Sequence, residues 1–251
     1  MSALPDVARR RNYFPQLLNL TWSSAEQLVR RPSSPRCAEA GRRLRQHAVW
    51  LTAGAFTVIM ALMLTFDATE IGMMPPRGTP SLWPVRILTD FGKDAHVLWT
   101  LAVMLIVVGF AIPLLARPSR AQLARFGTHL QYLFFAVLIP VLIGEVLKWA
   151  VGRGRPFVGG KANAFNFAPF NGTEAYFSLP SGHAVTACAL AFAVAAVWPK
   201  ARIVMAIYAM LILASRLVLL AHHPSDVVAG GLVGVIGAMA VRYWFAARRL
   251  G

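Results

Sequence analysis

Six stretches of the chain are apolar for long enough to dictate what it can become: Ala48 to Phe66, Val97 to Leu115, Leu130 to Leu147, Ala184 to Trp198, Ile203 to Ala221 and Val227 to Val241. A helix rises about 1.5 Å per residue, so roughly 20 apolar residues cross the ~30 Å of a bilayer's hydrocarbon. The fourth and sixth stretches are short and need flanking residues to span; a buried or re-entrant segment is the alternative there. Composition agrees, with 57% hydrophobic and 14% charged residues, against about a quarter charged in soluble chains. Soluble globular and disordered classes are thereby excluded. The expected fold is all-α, a polytopic six-helix transmembrane bundle.

Orientation is read from where the cations sit between the spans. Before the first span stand Arg9, Arg10, Arg11, Arg30, Arg31, Arg36, Arg42, Arg43 and Arg45 against Asp6, Glu26 and Glu39. This segment is expected on the cytoplasmic side. The loop from 67 to 96 carries Asp67, Glu70, Asp90 and Asp94 against Arg77, Arg86 and Lys93, which suits the opposite side. By alternation Arg117, Arg120, Arg125, Lys200, Arg202, Arg242, Arg248 and Arg249 fall inside with both termini. Most of the net charge of +15 is therefore topology and attraction to anionic headgroups, not a nucleic-acid footprint. Residues 1–47 form a basic cytoplasmic segment in which Ser23 to Gln27, with Leu28, Arg30 and Arg31, are read as a short interfacial helix. Residues 48–251 form the six-span unit. Arg9-Arg10 resembles an export signal, but Pro15 and the polar residues after it leave no apolar region for cleavage. Cys37 and Cys188 make no disulfide framework. His47, His96 and His129 have no partners in the sequence and receive no role.

The third loop breaks the charge pattern, for it lies outside yet holds Lys148, Arg153, Arg155 and Lys161 against Glu174 alone. Three patterns meet on that side. The first runs from Lys148 to Arg155-Pro156, the second is Pro180-Ser181-Gly182-His183, and the third is Ser215-Arg216, His222, His223 and Asp226. Lys148 and Arg155 alone could be snorkelling interfacial cations, and Pro180 to His183 a turn and a helix start. Arg216 resists such a reading: it sits about six residues, roughly 9 Å, inside an apolar run, where a cation must face a polar interior. Cations, backbone donors at a glycine-containing helix start and two histidines suit a phosphate group. Asp226 is the one acid of the second and third patterns, so no carboxylate cluster is available for a metal. A metal- and cofactor-independent phosphoryl transfer follows, with cations stabilising the transferring group and histidine as nucleophile and acid.

These residues resemble the type 2 phosphatidate phosphatases, which share an active site with vanadium-dependent haloperoxidases and bacterial acid phosphatases. The family signature is Lys, six residues, Arg-Pro; then Pro-Ser-Gly-His; then Ser-Arg, five residues, His, three residues, Asp. Lys148, Arg155-Pro156, Pro180 to His183, Ser215-Arg216, His222 and Asp226 match it without departure, and the likeness spans roughly residues 130 to 245. The resemblance implies that His222 is the nucleophile that becomes a phosphohistidine, that Asp226 orients it, and that His183 is general acid and base. It implies that Lys148, Arg155, Ser181, the Gly182 amide and Arg216 bind the phosphate oxygens. His223 is one residue off the spacing and is expected on the rim. Glu145 is expected to pair with Lys148, and Gly230, Gly231, Gly234 and Gly237 to let the last helix approach its neighbours within the molecule. The loop from Phe157 to Leu179, with Phe165, Phe167, Phe170, Tyr176 and Phe177, is read either as a lid or headgroup collar or as aromatics that only pack the loop down.

The expected protein is a bacterial inner-membrane lipid phosphatase with its site facing the extracytoplasmic side, whose partners are the lipid substrate and the bilayer, with no obligate protein partner. Candidate substrates are a polyprenyl diphosphate, lipid A phosphate, phosphatidylglycerol phosphate and phosphatidic acid; undecaprenyl diphosphate or lipid A is favoured because bacterial members of this size often act there. The alternatives are phosphotransfer from the same phosphohistidine to another hydroxyl, and a non-hydrolytic phospholipid-binding or transport protein.

Overall fold

The computed structural model describes residues 13–156, 158–160 and 162–248; Asp6, Arg9, Arg10, Arg11, Phe157, Lys161 and Arg249 lie outside the described residues. The described chain is helical: α1 (Tyr13–Val29), α2 (Ser34–Thr65), α3 (Asp67–Met73), α4 (Trp83–Asp90), α5 (Asp94–Ala111), α6 (Arg117–Val151), α7 (Gly182–Val197), α8 (Arg202–Val218) and α9 (Pro224–Ala247). Each of the six apolar stretches falls on a separate helix: α2, α5, α6, α7, α8 and α9. The segments Ser34–Thr65, Pro80–Leu114, Pro118–Val151, Pro199–Val218 and Pro224–Ala247 are the 5 that are long and apolar enough to cross a membrane. Helix α7 is as apolar but has 16 residues, which makes it the shortest of the bundle's principal helices. The protein is thus a multi-pass membrane protein. Its outward faces carry Trp50, Phe56 and Leu64 of α2, Val103, Ile106 and Val107 of α5, and Ile203, Val204 and Ile207 of α8, all exposed. Apolar surface on this scale belongs against lipid, where it has no reason to be buried.

The N-terminal helix differs from the sequence expectation. It begins at Tyr13, ten residues before the Ser23 start read from the capping pattern, and Ser23 lies mid-helix with its hydroxyl bonded back to Leu20 O at 3.1 Å. A Ser-x-x-Glu pattern can cap a helix, but a helix already under way uses the same serine for a local back-bond. Tyr13 OH donates to Phe110 O at 3.0 Å, which ties α1 to the end of α5.

Helix α9 is the hub, packed on α2, α6 and α7, while α8 lies between α7 and α4. The core is built by Leu130, Leu133, Ala136 and Val137 of α6, Val185, Ala189 and Ala193 of α7, and Ala238, Val241 and Phe245 of α9. Small residues set the approach. A Cβ at Gly230 would lie 2.4 Å from Ser181 O, one at Gly234 2.4 Å from Val185 O, and one at Gly237 2.6 Å from Pro140 Cβ. These glycines share one face of α9, so helices without a hydrophobic drive between them gain contact by closeness. The intramolecular role expected for them is what the packing provides. Gly234→Val forces α9 away from α7 and is expected to destabilise the detergent-solubilised protein by about 1–3 kcal/mol or more, seen as a lower Tm. Gly54→Val, in α2 where nothing lies within 4 Å of the added carbon, is the control expected to leave Tm unchanged.

Candidate active site

The C-terminal end of α6, the N-terminal end of α7, the C-terminal end of α8 and the N-terminal end of α9 come together at one end of the bundle, and each contributes part of the three sequence patterns. Helix α6 stops at Gly152, which takes a left-handed conformation (φ 58°). A Cβ there would lie 2.0 Å from Ala168 O, so glycine is required both for the turn and for the close approach. Lys148 therefore stays on the last helical turn while the chain reverses, and the six-residue spacing carries Arg155 back over the same end. Lys148 Nζ bonds Glu145 Oε1 at 2.5 Å, as expected from their spacing. The ammonium stands over the first turn of α7, since a Cβ on Gly182 would sit 2.9 Å from Lys148 Nζ.

Ser181 is the N-cap of α7, but its side chain makes no capping bond. The hydroxyl is buried and has no partner among the described residues, and Arg155 Nε, Arg216 Nε and His183 Nε2 are in the same condition. Donors at a helix start that are not spent on the helix remain for an anion. Arg216, buried within α8, is held by Arg216 Nη1 donating to Thr89 Oγ1 at 2.8 Å. Burial, and next the neighbouring Arg77, push the Arg155 guanidinium below its ordinary value. Arg77 and Thr89 were not singled out in the sequence, where they read as residues of an ordinary loop.

His222 is buried. Its Nδ1 bonds the Ser178 backbone carbonyl at 2.8 Å; a carbonyl only accepts, so Nδ1 carries the proton and Nε2 carries the lone pair. Burial holds the imidazole well below its ordinary value, and the charges of Arg216 and Arg155 push it the same way. The ring is thus neutral at working pH, in the tautomer a nucleophile needs. Asp226 is fully buried and lies 4.0 Å from His222 Nδ1. Its oxygens are occupied elsewhere: Oδ1 by Arg153 Nη1 at 2.6 Å, Oδ2 by Ser178 Oγ at 2.5 Å and by His223 N at 2.9 Å. The contact between Asp226 and the imidazole runs through Ser178, a residue that no pattern in the sequence marks.

His223, expected on the rim, is instead completely buried. It is the N-cap of α9, and its backbone N–H is drawn into the bundle by Asp226, three residues on, as in a capping box. His47 meets Tyr243 OH at 3.0 Å, His96 Nδ1 meets Asp90 O at 3.0 Å, and His129 packs edge-on against Trp198. Each thus has a structural partner that only the fold supplies. Of the loop aromatics, Phe165, Phe167 and Phe170 are exposed, with Phe170 also edge-on to Trp149 at 4.7 Å.

Arg153, counted in the sequence as one more outward cation, is 0% exposed. Its guanidinium reaches Asp67 Oδ2 at 2.7 Å, Asp226 Oδ1 at 2.6 Å, Ser225 Oγ at 2.5 Å and Ala164 O at 2.8 Å. It is a structural ion-pair centre beneath the site and not one of the cations that face an anion.

Cations, spare hydroxyl and amide donors and a neutral imidazole at the end of a lipid-facing bundle suit a phosphate monoester hydrolase in a membrane, and the comparisons with known proteins support that class. Residues 129–250 match the PAP2 superfamily, and the chain belongs to it, as a lipid phosphatase of the type 2 phosphatidate phosphatase family. It is 34% identical over 174 residues to the lipid A 1-phosphatase of Rhizobium johnstonii, covering 68% of this chain and 70% of that one. It is also 34% identical over 173 residues to the lipid A 1-phosphatase of Rhizobium etli, covering 67% and 72%. No solved structure matches the chain.

Proposed function

We propose that the protein removes the 1-phosphate of lipid A at the extracytoplasmic face of the bacterial inner membrane, by way of a phosphohistidine on His222. The observation that carries this reading is the bond from His222 Nδ1 to the Ser178 carbonyl, which leaves Nε2 as the free nucleophile of a ring kept neutral among cations. In the first step Nε2 attacks phosphorus, the bond from phosphorus to the sugar oxygen breaks, and His183 gives its proton to the departing oxygen. In the second step His183 takes a proton from water, the water oxygen bonds phosphorus, and the phosphorus–nitrogen bond breaks to release inorganic phosphate. Lys148, Arg155, Arg216, the Ser181 hydroxyl and the Gly182 amide hold the phosphoryl oxygens and offset the charge of the five-coordinate state. Asp226 orients His222 through Ser178. Cation chemistry comes from side chains, so the reaction needs no metal.

An amphiphilic substrate is supported by a mainly apolar pocket of about 470 Å³ in which Ile87, Phe91, Val97, Leu101 and Leu190 stand beside the polar Asp90, His96 and Thr100. It adjoins the Phe91-Gly92 turn, and Gly92 packs against His183. The lipid A assignment draws on the two relatives. Six crossings with both termini inside are supported by Arg120, Arg125, Lys200, Arg202, Arg242 and Arg248, which stand at the helix ends opposite the site.

The test is phosphate release by purified protein in detergent from lipid A, undecaprenyl diphosphate, phosphatidylglycerol phosphate and phosphatidic acid, with and without EDTA. The expected result is fastest release from lipid A, from its 1-position, unchanged by EDTA. Preference for another lipid would overturn the substrate, and loss of activity in EDTA would overturn the metal-free mechanism.

A further inference from the structure

Beneath the nucleophile lies a charged network that the reaction scheme does not use. Asp67 opens α3, just beyond the first span and outside the 129–250 family match, yet it is 0% exposed. Asp67 Oδ2 accepts from Arg153 Nη2 at 2.7 Å and from the Ser225 hydroxyl, and Oδ1 accepts from Ser225 N at 3.1 Å. Arg153 Nη1 continues to Asp226 Oδ1 at 2.6 Å, Asp226 Oδ2 to Ser178 Oγ at 2.5 Å, and the Ser178 carbonyl to His222 Nδ1 at 2.8 Å. The Arg153 backbone carbonyl also takes Ser178 N–H at 3.0 Å, so Arg153 meets Ser178 directly as well as through Asp226.

One guanidinium would suffice to neutralise Asp226. A second carboxylate on the opposite side does two further things. It divides Arg153 between two acids, so that Asp226 keeps part of its negative charge toward the histidine side. It also fixes the guanidinium plane, since Arg presents its donors in a rigid fork. Burying three charges is expensive, and a carboxylate whose removal would leave a simple neutral pair adds nothing to charge balance.

We infer that Asp67 is a positioning residue for the hydrolysis: acting through Arg153 and Ser225, it sets the placement and charge of Asp226 and the Ser178 carbonyl, and so the orientation of His222. This inference rests on His222 as the nucleophile of the proposed reaction. It makes the start of α3, just beyond the first apolar span, part of the active centre's framework.

The experiment measures kcat and KM of Asp67→Asn in detergent, with lipid A and dioctanoyl phosphatidic acid as probes and His222→Ala run in parallel. Asparagine keeps the shape and removes the charge. The expected result is a kcat lower by about tenfold, the low end of what losing a supporting partner costs in metal sites, because Asp67 stands behind Arg153 and Ser178 and not against His222 itself, with KM within about threefold of wild type. A purely structural role would lower the yield of folded protein or its Tm and leave kcat per folded molecule unchanged; that outcome, or a loss seen in KM alone, overturns the inference. If Asp67→Asn does not fold, Ser225→Ala decides. It removes one link and keeps every charge, so a kcat loss of about three- to tenfold at constant KM supports the inference and an unchanged kcat overturns it. Full activity in His222→Ala would mean that the nucleophile assignment fails; an inactive His222→Ala beside an unaffected Asp67→Asn would mean that only the role of Asp67 does.

Discussion

His222→Ala is expected to lower phosphate release by at least about 10⁴-fold while the protein still folds and inserts, because removing a nucleophile leaves only binding and electrostatic catalysis. The ring is buried at the junction of α8 and α9, outside the apolar core, and bonds Ser178 O, so its loss is expected to lower Tm without unfolding the protein. The check is a comparison of steady-state rates with the Tm of both proteins in detergent. Acid-labile labelling of the wild type by phosphate-labelled lipid A, absent from the variant, would identify the intermediate as nitrogen-linked. Release at the wild-type rate from a folded His222→Ala would require another nucleophile, and none of the remaining histidines stands among the cations except His183.

Arg153→Met is expected to produce the largest loss of stability of any single change considered. It leaves Asp67 and Asp226, both fully buried, without their shared cation. Nearby Glu70 is also fully buried and neither oxygen has a partner among the described residues; burial first, then Asp67 and Asp226, raises its carboxyl to about 7. With Arg153 gone, three acids would share a space with no compensating charge. Breaking a buried pair by removing one partner costs about 3–5 kcal/mol, which for a chain of this size is a drop on the order of 10 °C in Tm. Arg155→Met, the cation two residues on, is expected to impair turnover with a far smaller fall in Tm, because among the described residues its guanidinium pairs with no buried carboxylate and its Nε has no partner. Equal Tm losses in the two variants would contradict the division of labour between them.

That division could not be read from the chain. Arg153 and Arg155 are two cations of one Gly-Arg-Gly-Arg run, and alternation of sides along an irregular segment says nothing about which is swallowed by the core. Asp67 looked like one acid among several in an outer loop, and its partner Ser225 lies 158 residues away. Ser178 accepts the hydrogen bond from His222 Nδ1, but it precedes the Pro180 to His183 pattern without belonging to it. His223 was placed on the rim because it stands one residue off the family spacing, whereas the capping turn of α9 directs it inward. The N-terminal helix was started too late for a similar reason: a local capping pattern was taken as a boundary in a segment that was already helical. By contrast the Glu145–Lys148 pair, the close-packed glycines of α9 and the gathering of the three patterns at one end of the bundle were all legible, since each depends on spacing within a helix or on the order of spans.

Sequence by itself determined that this is an all-helical membrane protein, where its principal helices run, and which family signature it carries. Those properties follow from hydrophobic length, helical period and residue spacing, which are local and do not depend on what the rest of the chain does. Only the tertiary structure decided which charges face an anion and which neutralise one another, which atom of His222 bears the proton, and how Asp226 reaches it. These depend on pairs of residues far apart in the chain. At such a pair a displacement of an ångström or two separates a hydrogen bond from an unpaired buried charge, and in a medium without water that difference is worth several kcal/mol.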